Sequence, residues 1–391
     1  MTPPNYTDKY FEKTKNCIDG DMTASYGVFL RHESICAIEP ALEFLRKHQL
    51  SVPDARPMEI TRHYPEGALV PAELPLFSYD AKLKAVVELE TMLLQRVGFS
   101  CISAYNAYNM AMNCLNIPFM DMAARHCAPG GMIEACAYGA SVGSKTAQMQ
   151  GARGFIGSSL DITAGFYGAS AGLGTMPHVL IGAAGSTLAA VQLFIEKNPA
   201  DNFITALVDY YGQEVTDSLE VAEWWYKQGF VSKTLGVRLD THGGRFMEGL
   251  DYDTSVEVVG EWLHKRGKWA IVKAVMGDDA FDVADDAIRD GVAKILFGTG
   301  VSAAAIIHMR QCLNHAGYKN VQIVASSGFN LRKCRIMAKA HAPIDMIGTG
   351  SFLPETLNET YATADCFSYN GEFSVKVGRE SVFRGVYKHN G

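Results

Sequence analysis

The chain has no C-x-x-C pair: its nine cysteines stand at 17, 36, 101, 114, 127, 136, 312, 334 and 366. That spacing offers no zinc knuckle and fits free thiols in a reducing compartment. No run approaches the roughly 20 apolar residues that span a bilayer. The opening MTPPNYTDKYFEKTKNC is polar and mixed in charge, unlike a signal peptide. Positive charge is also in deficit: the formal net charge is −7 and the pI about 5.9. That balance argues against nucleic acid or an anionic membrane as the main partner, while leaving room for a local basic pocket that takes a phosphorylated metabolite. With 48% apolar and 20% charged residues, the composition is that of an ordinary globular protein. The expectation is a soluble, cytoplasmic chain, long enough at 391 residues for two domains or one large α/β body with additions.

What is present is a rhythm. Short β-rich apolar runs recur at FITALVD (203–209), LGVRLD (235–240), WAIVKAV (269–275), KILFGTG (294–300), VQIVASSG (321–328) and IDMIGTG (344–350). They begin about 23 to 34 residues apart, and the intervals hold helical patterns such as SLEVAEWWYKQG and SAAAIIHMRQCLNHAG. A strand with its return helix needs about 30 residues, so this predicts repeated β/α units closing into a barrel. The first hundred residues are less regular. Helical spacing is predicted over 29–48 and over 80–98, the latter with Val86, Leu89, Leu93 and Val97 on one face. The alternation of Phe373, Val375 and Val377 reads as a strand. The predicted organisation is a β/α barrel over 116–351 and a smaller α+β side domain built from both chain ends, 1–115 plus 352–391.

The chemistry-bearing residues follow the apolar runs directly. Asp209, Asp240, the Gly298-Thr299-Gly300 turn, the Ser326-Ser327-Gly328 turn and the Gly348-Thr349-Gly350 turn all do so. In a β/α barrel the carboxyl ends of the strands form one face, and that face carries the chemistry. Two acids there would hold a metal or a ribose, and Gly/Ser/Thr turns would offer N–H groups to phosphates. GTMPH (174–178) adds a further candidate. A Gly-rich turn leaves backbone N–H groups free to face an anion, Thr175 adds a hydroxyl, and Pro177 fixes the backbone entering His178. The plainer reading of the same pentapeptide is a turn before a buried strand or helix.

The order of these motifs resembles the nicotinate phosphoribosyltransferase family, within the type II phosphoribosyltransferases. DKYFEKT (8–14) is similar to its Asp-x-Tyr segment, and PEGALVPAELPLF before VVELETMLLQRVG resembles its Glu-Gly…Pro stretch and Glu-Thr-x-Leu-Leu helix. AARHCAP (123–129) resembles its arginine segment, GSSLDITAG (157–165) its base-recognition loop, and GTMPH its Gly-Thr-Met-x-His site. LVDYY, GVRLDT, ASSG and IDMIGTG then follow in family order. The resemblance implies an irregular, TIM-like β/α barrel with a side domain. The implied reaction joins a pyridine base to 5-phosphoribosyl pyrophosphate, giving the mononucleotide and pyrophosphate for NAD synthesis.

The same resemblance distributes roles. Asp209 and Asp240 would hold Mg²⁺ on the pyrophosphate, and Arg238 would meet the phosphoribosyl ligand. An ion pair between Arg238 and a barrel acid is the plainer reading, since Arg238 shares the side of the strand that carries Asp240 but lies deeper. Ser327, Gly328, Gly348, Thr349 and Gly350 would cradle the 5′-phosphate. His178, with Thr175 beside it, would face the pyrophosphate and accept a phosphoryl group from ATP as co-substrate. Arg125, His126, Ser159 and Asp161 would surround the base. Tyr10 would stack on the base of a partner's site in a homodimer with shared active sites.

The chain departs from the family pattern at several of these places. His126 stands where the family has a second arginine, the base loop reads Gly157-Ser158-Ser159-Leu160-Asp161, and Ser327 occupies a glycine position. A segment near 269–300 is additional. The first two departures bear on base identity, and they keep nicotinamide open beside nicotinate. Quinolinate as the base ranks lower, because two carboxylates would want a denser Lys/Arg pocket than the motifs supply. A non-catalytic phosphoribosyl-binding relative would be marked by loss of the acids or of His178, and both are present. An unrelated phosphate-binding barrel such as an aldolase would need a lysine or an acid/base pair at a strand end, for which Lys273 is the only candidate.

Overall fold

A computed structural model describes residues 6–18, 20–51, 58–174 and 176–387. The chain divides into two compact units: Met1–Asn109, Arg125–Gly151 and Leu353–Gly391 form the first, Met110–Ala124 and Ala152–Phe352 the second. No single helix among the described residues is long and apolar enough to cross a membrane.

The first unit is built on a five-stranded antiparallel sheet. Its order is Glu372–Phe373, Ala362–Tyr369, Thr23–Leu30, Phe77–Lys82, Glu59–Arg62. Thr23–Leu30 is central and buried along nearly its whole length, which is why 29–30 belong to this strand and not to the helix expected over 29–48. A second short strand, Ser34–Ile35, follows, and the helix runs over Glu39–Ser51. Pro40 sits in its first turn, where no backbone N–H is needed. In the 80–98 region residues 80–82 complete a strand, while Val86, Leu89, Leu93 and Val97 are all buried beyond it. Phe29, Phe367, Val382, Phe383 and Val386 form an apolar cluster against which Phe373 and Val375 pack. The alternation expected there stops early: the strand ends at Phe373, and Val377 is almost fully exposed.

Helices Glu90–Asn113 and Met132–Met149 approach very closely. A methyl group built on Gly139 would overlap the carbonyl oxygen of Ser100, and one on Gly143 that of Ala104. Only glycine permits backbone to lie against backbone at this distance.

The second unit carries a six-stranded, all-parallel sheet in the order Phe155–Ser158, Phe119–Asp121, Met346–Thr349, Gln322–Ala325, Thr234–Leu239, Phe203–Leu207. Helix Glu214–Gln228 returns the chain between the 203–207 and 234–239 strands, and Leu331–Lys339 does so between 322–325 and 346–349. Because every strand runs the same way, all six carboxyl ends lie along one edge.

Four of the six expected strands are in this sheet. The other two are helical: 269–275 lies within helix Lys268–Met276, and 294–297 forms the last turn of helix Asp286–Phe297. Their buried residues show why. Ile271, Val272 and Val275 recur at helical spacing, as do Val292, Ala293, Leu296 and Phe297. The sheet is completed instead by Phe119–Asp121 and Phe155–Ser158, of three and four residues.

Candidate active site

The carboxyl edge of the parallel sheet gathers Asp121, Ser158, Asp209, Asp240, Ser326 and the 348–350 turn at or just beyond the strand ends. Asp209 and Asp240 follow neighbouring strands, whose register pairs Leu207 with Arg238. His178 opens helix His178–Ala184, with Pro177 extended at its cap, so the turn-before-helix reading of GTMPH holds for the backbone. The imidazole is not buried: its side chain is 46% exposed, and Nε2 lies 3.1 Å from both carboxylate oxygens of Asp209. Thr175 lies outside the described residues.

Asp209 is held from behind. Arg245 donates from Nη2 to the Asp209 carbonyl at 3.0 Å and pairs with Glu214 at 2.6 Å. Glu214 is completely buried and also accepts from Thr241 Oγ1 at 2.8 Å and the Glu248 N–H at 3.2 Å. These contacts fasten the 209–213 and 241–248 loops to each other.

Asp240 has different partners. Ser326 donates from Oγ to Oδ1 at 3.0 Å, and Arg238 Nη2 stands 3.7 Å from Oδ2. Arg238 thus makes the ion pair with a barrel acid, and it also donates to the Met176 carbonyl at 3.4 Å. The 176–178 turn and the 238–240 strand end are thereby brought together.

The turns differ in what they leave free. Ser327 and Gly328 are consecutive left-handed residues, φ 74° and 67°, and a Cβ on Gly328 would meet nothing within 4 Å. Thr349 is buried and donates to the Phe329 carbonyl at 3.0 Å, so its hydroxyl fastens two turns to each other. At Gly348 a Cβ would lie 2.7 Å from Met122 Sδ, so a larger residue there would require that side chain to shift. The Gly298-Thr299-Gly300 turn follows a helix, not a strand. Thr299 donates to Gly243 O at 2.5 Å and Gly300 N–H to Arg245 O at 2.8 Å, which makes the turn a staple for the 241–248 loop.

In the base-loop segment, Ser159 and Asp161 are exposed. The Ser159 N–H is taken by the Asp121 carbonyl, and Asp161 Oδ1 accepts from Gly172 N–H at 2.7 Å. Asp121 carries no signal in the sequence that would single it out. It is buried, accepts from Ala123 N–H at 2.8 Å and Tyr167 Oη at 2.9 Å, and burial raises its carboxyl above the usual range against those two bonds. Lys333, Arg245 and Glu214 are likewise silent in the sequence, because their roles come from partners distant along the chain.

Tyr10, Arg125 and His126 belong to the first unit, where all three are exposed. Lys273 sits in a helix and pairs with Asp282 at 3.0 Å and Asp278 at 3.7 Å, so it is no strand-end lysine. Among the described residues no three metal-ligating side chains converge. The site therefore offers three carboxylates that already have partners, one exposed histidine, and an open glycine turn.

No family model matches the chain, and no curated protein matches it. Solved structures do. Nicotinate-nucleotide pyrophosphorylase from Pyrococcus furiosus aligns with a TM-score of 0.66 at 19% identity, covering 96% of this chain and 77% of that one. Human nicotinic acid phosphoribosyltransferase aligns at 0.57 and 16% identity, over 95% of this chain and 76% of that one. Nicotinate-nucleotide pyrophosphorylase from Ehrlichia chaffeensis gives 0.52 and 13% identity, over 88% of both. The chain shares the fold of these proteins, with a parallel sheet and a separate antiparallel one, as the resemblance implied.

Proposed function

We propose that the chain is a phosphoribosyltransferase that joins nicotinate to 5-phosphoribosyl pyrophosphate, forming the mononucleotide and releasing pyrophosphate. The observation that carries this reading is the convergence of Asp209, Asp240 and His178 with the open Ser327-Gly328 turn on one sheet edge. That edge belongs to a fold shared with a nicotinic acid phosphoribosyltransferase.

Displacement at the anomeric carbon builds positive charge on the ribose while negative charge leaves with pyrophosphate. Carboxylates at two adjacent strand ends stabilise the first and are poor competitors as nucleophiles. Their oxygen donors also fit Mg²⁺, which is commonly held by one or two carboxylates together with substrate phosphates and not by a protein cage. Asp209 and Asp240 would hold it, and when bound it neutralises the leaving pyrophosphate. The amides of the 327–328 turn receive the 5′-phosphate. His178, oriented by Asp209, is the group that accepts phosphate where ATP drives the reaction.

The working enzyme is a homodimer in this reading, with exposed Tyr10 serving the partner's site. Mixed Tyr10→Ala and Asp240→Ala chains would then regain activity that neither has alone, and no rescue would remove the sharing.

A second reading, nicotinamide as the base, is favoured by Asp161, an exposed acid that would repel a carboxylate-bearing ring. Purified protein with phosphoribosyl pyrophosphate and Mg²⁺ is tested with each base, with and without ATP, by pyrophosphate release. No release with either base would overturn the proposal. If Asp161 meets the base, Asp161→Asn shifts the kcat/KM ratio toward nicotinate by about ten-fold. An unchanged ratio would remove it from the pocket.

A further inference from the structure

The Ser327-Gly328 turn is held from one side by a lysine that nothing in the sequence connects with it. Lys333, in the first turn of helix Leu331–Lys339, folds back and donates from Nζ to the Ser327 carbonyl at 2.7 Å. Its ammonium also lies 4.3 Å from the centre of the Phe329 ring. No carboxylate pairs with it among the described residues, although it is largely out of water. Burial lowers its pKa to about 8, partly opposed by the charges of Cys334 and Asp240.

The peptide geometry turns this one bond into an orientation. In a trans peptide the carbonyl and the next N–H point in opposite directions, and the chain has no cis bond among its described residues. Fixing the Ser327 carbonyl on Lys333 therefore aims the Gly328 N–H the other way. That N–H has no acceptor among the described residues, and the Cβ direction of Gly328 is empty to 4 Å. Ser327 itself is in the left-handed region, which a side chain other than glycine resists, so something must hold it there.

We propose that Lys333 is a positioning residue: by anchoring the Ser327 carbonyl it keeps the Gly328 N–H aimed at the ligand phosphate. This rests on the phosphoribosyl-transfer reading. Lys333 acts through the backbone and does not touch the reacting atoms, so its loss weakens phosphate binding while leaving the base and the chemical step alone.

The test uses the full-length protein. Affinity for ribose 5-phosphate is measured by calorimetry, and KM for phosphoribosyl pyrophosphate and for the base separately. Lys333→Met is expected to raise Kd for ribose 5-phosphate and KM for phosphoribosyl pyrophosphate about ten-fold. The base KM and the saturating kcat should stay within about three-fold, and Lys333→Arg should restore binding. The Gly328 amide proton should move on adding ribose 5-phosphate to wild type and not in Lys333→Met. If Lys333→Met does not fold, Lys333→Gln carries the same expectation. A Kd within about three-fold of wild type in the folded neutral variant would overturn the positioning role and leave the transferase reading standing. Wild-type protein that binds neither ribose 5-phosphate nor phosphoribosyl pyrophosphate would overturn that reading, and this inference with it.

Discussion

Asp209 and Asp240 end neighbouring parallel strands, yet they are held in different ways. Both oxygens of Asp209 face one imidazole, and its backbone is anchored by Arg245 and the buried Glu214 behind it. Asp240 is held by a serine hydroxyl and, more loosely, by an arginine. The first acid is thus coupled to an exposed imidazole, the second to a hydroxyl and a guanidinium. In the proposed site Asp240 would be the constant feature, whereas what Asp209 offers a ligand would depend on the imidazole facing it.

The strongest way to break the comparison is to remove each acid. Asp209→Ala and Asp240→Ala should each lower kcat/KM for pyridine-nucleotide formation by about 100-fold or more, since charge stabilisation at the transition state is lost. Near wild-type rates in both would end the case for this edge as the catalytic one. Next in size, Glu214→Gln should cost about 2 kcal/mol of stability by unpairing the buried network behind Asp209. Ser326→Ala, on the Asp240 side, should cost about 1 kcal/mol or less. Equal shifts in thermal unfolding would show that the two sides are braced alike.

His178→Ala sharpens the contrast further. Base transfer without ATP should fall only about ten-fold, because the displacement itself needs no covalent enzyme intermediate, while any coupled ATP hydrolysis disappears. An acid-labile phosphoenzyme persisting in that variant would exclude the histidine as the acceptor.

A comparably small effect concerns a carboxylate with neither kind of support. Glu90, in the first unit, is pushed to about 7 by burial and then by the charges of Asp365 and Asp8. The folded protein therefore keeps a proton that the unfolded chain releases near the ordinary glutamate value of 4.5. Wild-type stability should fall as pH rises from about 4.5 to 7, with the full cost present above 7. Glu90→Gln should remove that slope and gain on the order of 1 kcal/mol at pH 8, after allowing for solvent screening. Parallel stability curves for the two proteins from pH 4.5 to 8 would contradict it.

Gly-Thr-Gly occurs at 298–300 and at 348–350, each after an apolar run, and the two fold differently. IDMI is followed by a strand end, whereas KILF belongs to an amphipathic helix whose buried residues lie three and four apart. A run of four or five apolar residues is compatible with either period, so length and flanking sequence cannot separate them. Phe119–Asp121 and Phe155–Ser158 fail in the reverse way, being too short to display any period at all. The acids at 209 and 240 were legible because each directly follows a clear apolar run. Their partners were not, since the His178–Asp209 and Glu214–Thr241 contacts join residues 31 and 27 positions apart. Such pairings arise only when separate elements reach the same sheet edge. Lys333 was hidden for another reason: within its helix it looks like any surface lysine, and only the reversed Ser327 carbonyl gives it a task.

The contact between helices Glu90–Asn113 and Met132–Met149 has a consequence for genetics. At Gly139 and Gly143 a single methyl group acts as a wedge against main-chain carbonyls that cannot yield as a flexible side chain would. Overpacking of this kind typically costs about 1–3 kcal/mol, a large share of the margin that keeps a domain folded. Gly139→Ala and Gly143→Ala are therefore the places to seek conditional alleles, whose product would accumulate in the cold and be cleared on warming. Neither residue lies among those argued to bind or transform a substrate, so such strains would report the dose of the protein without altering its chemistry.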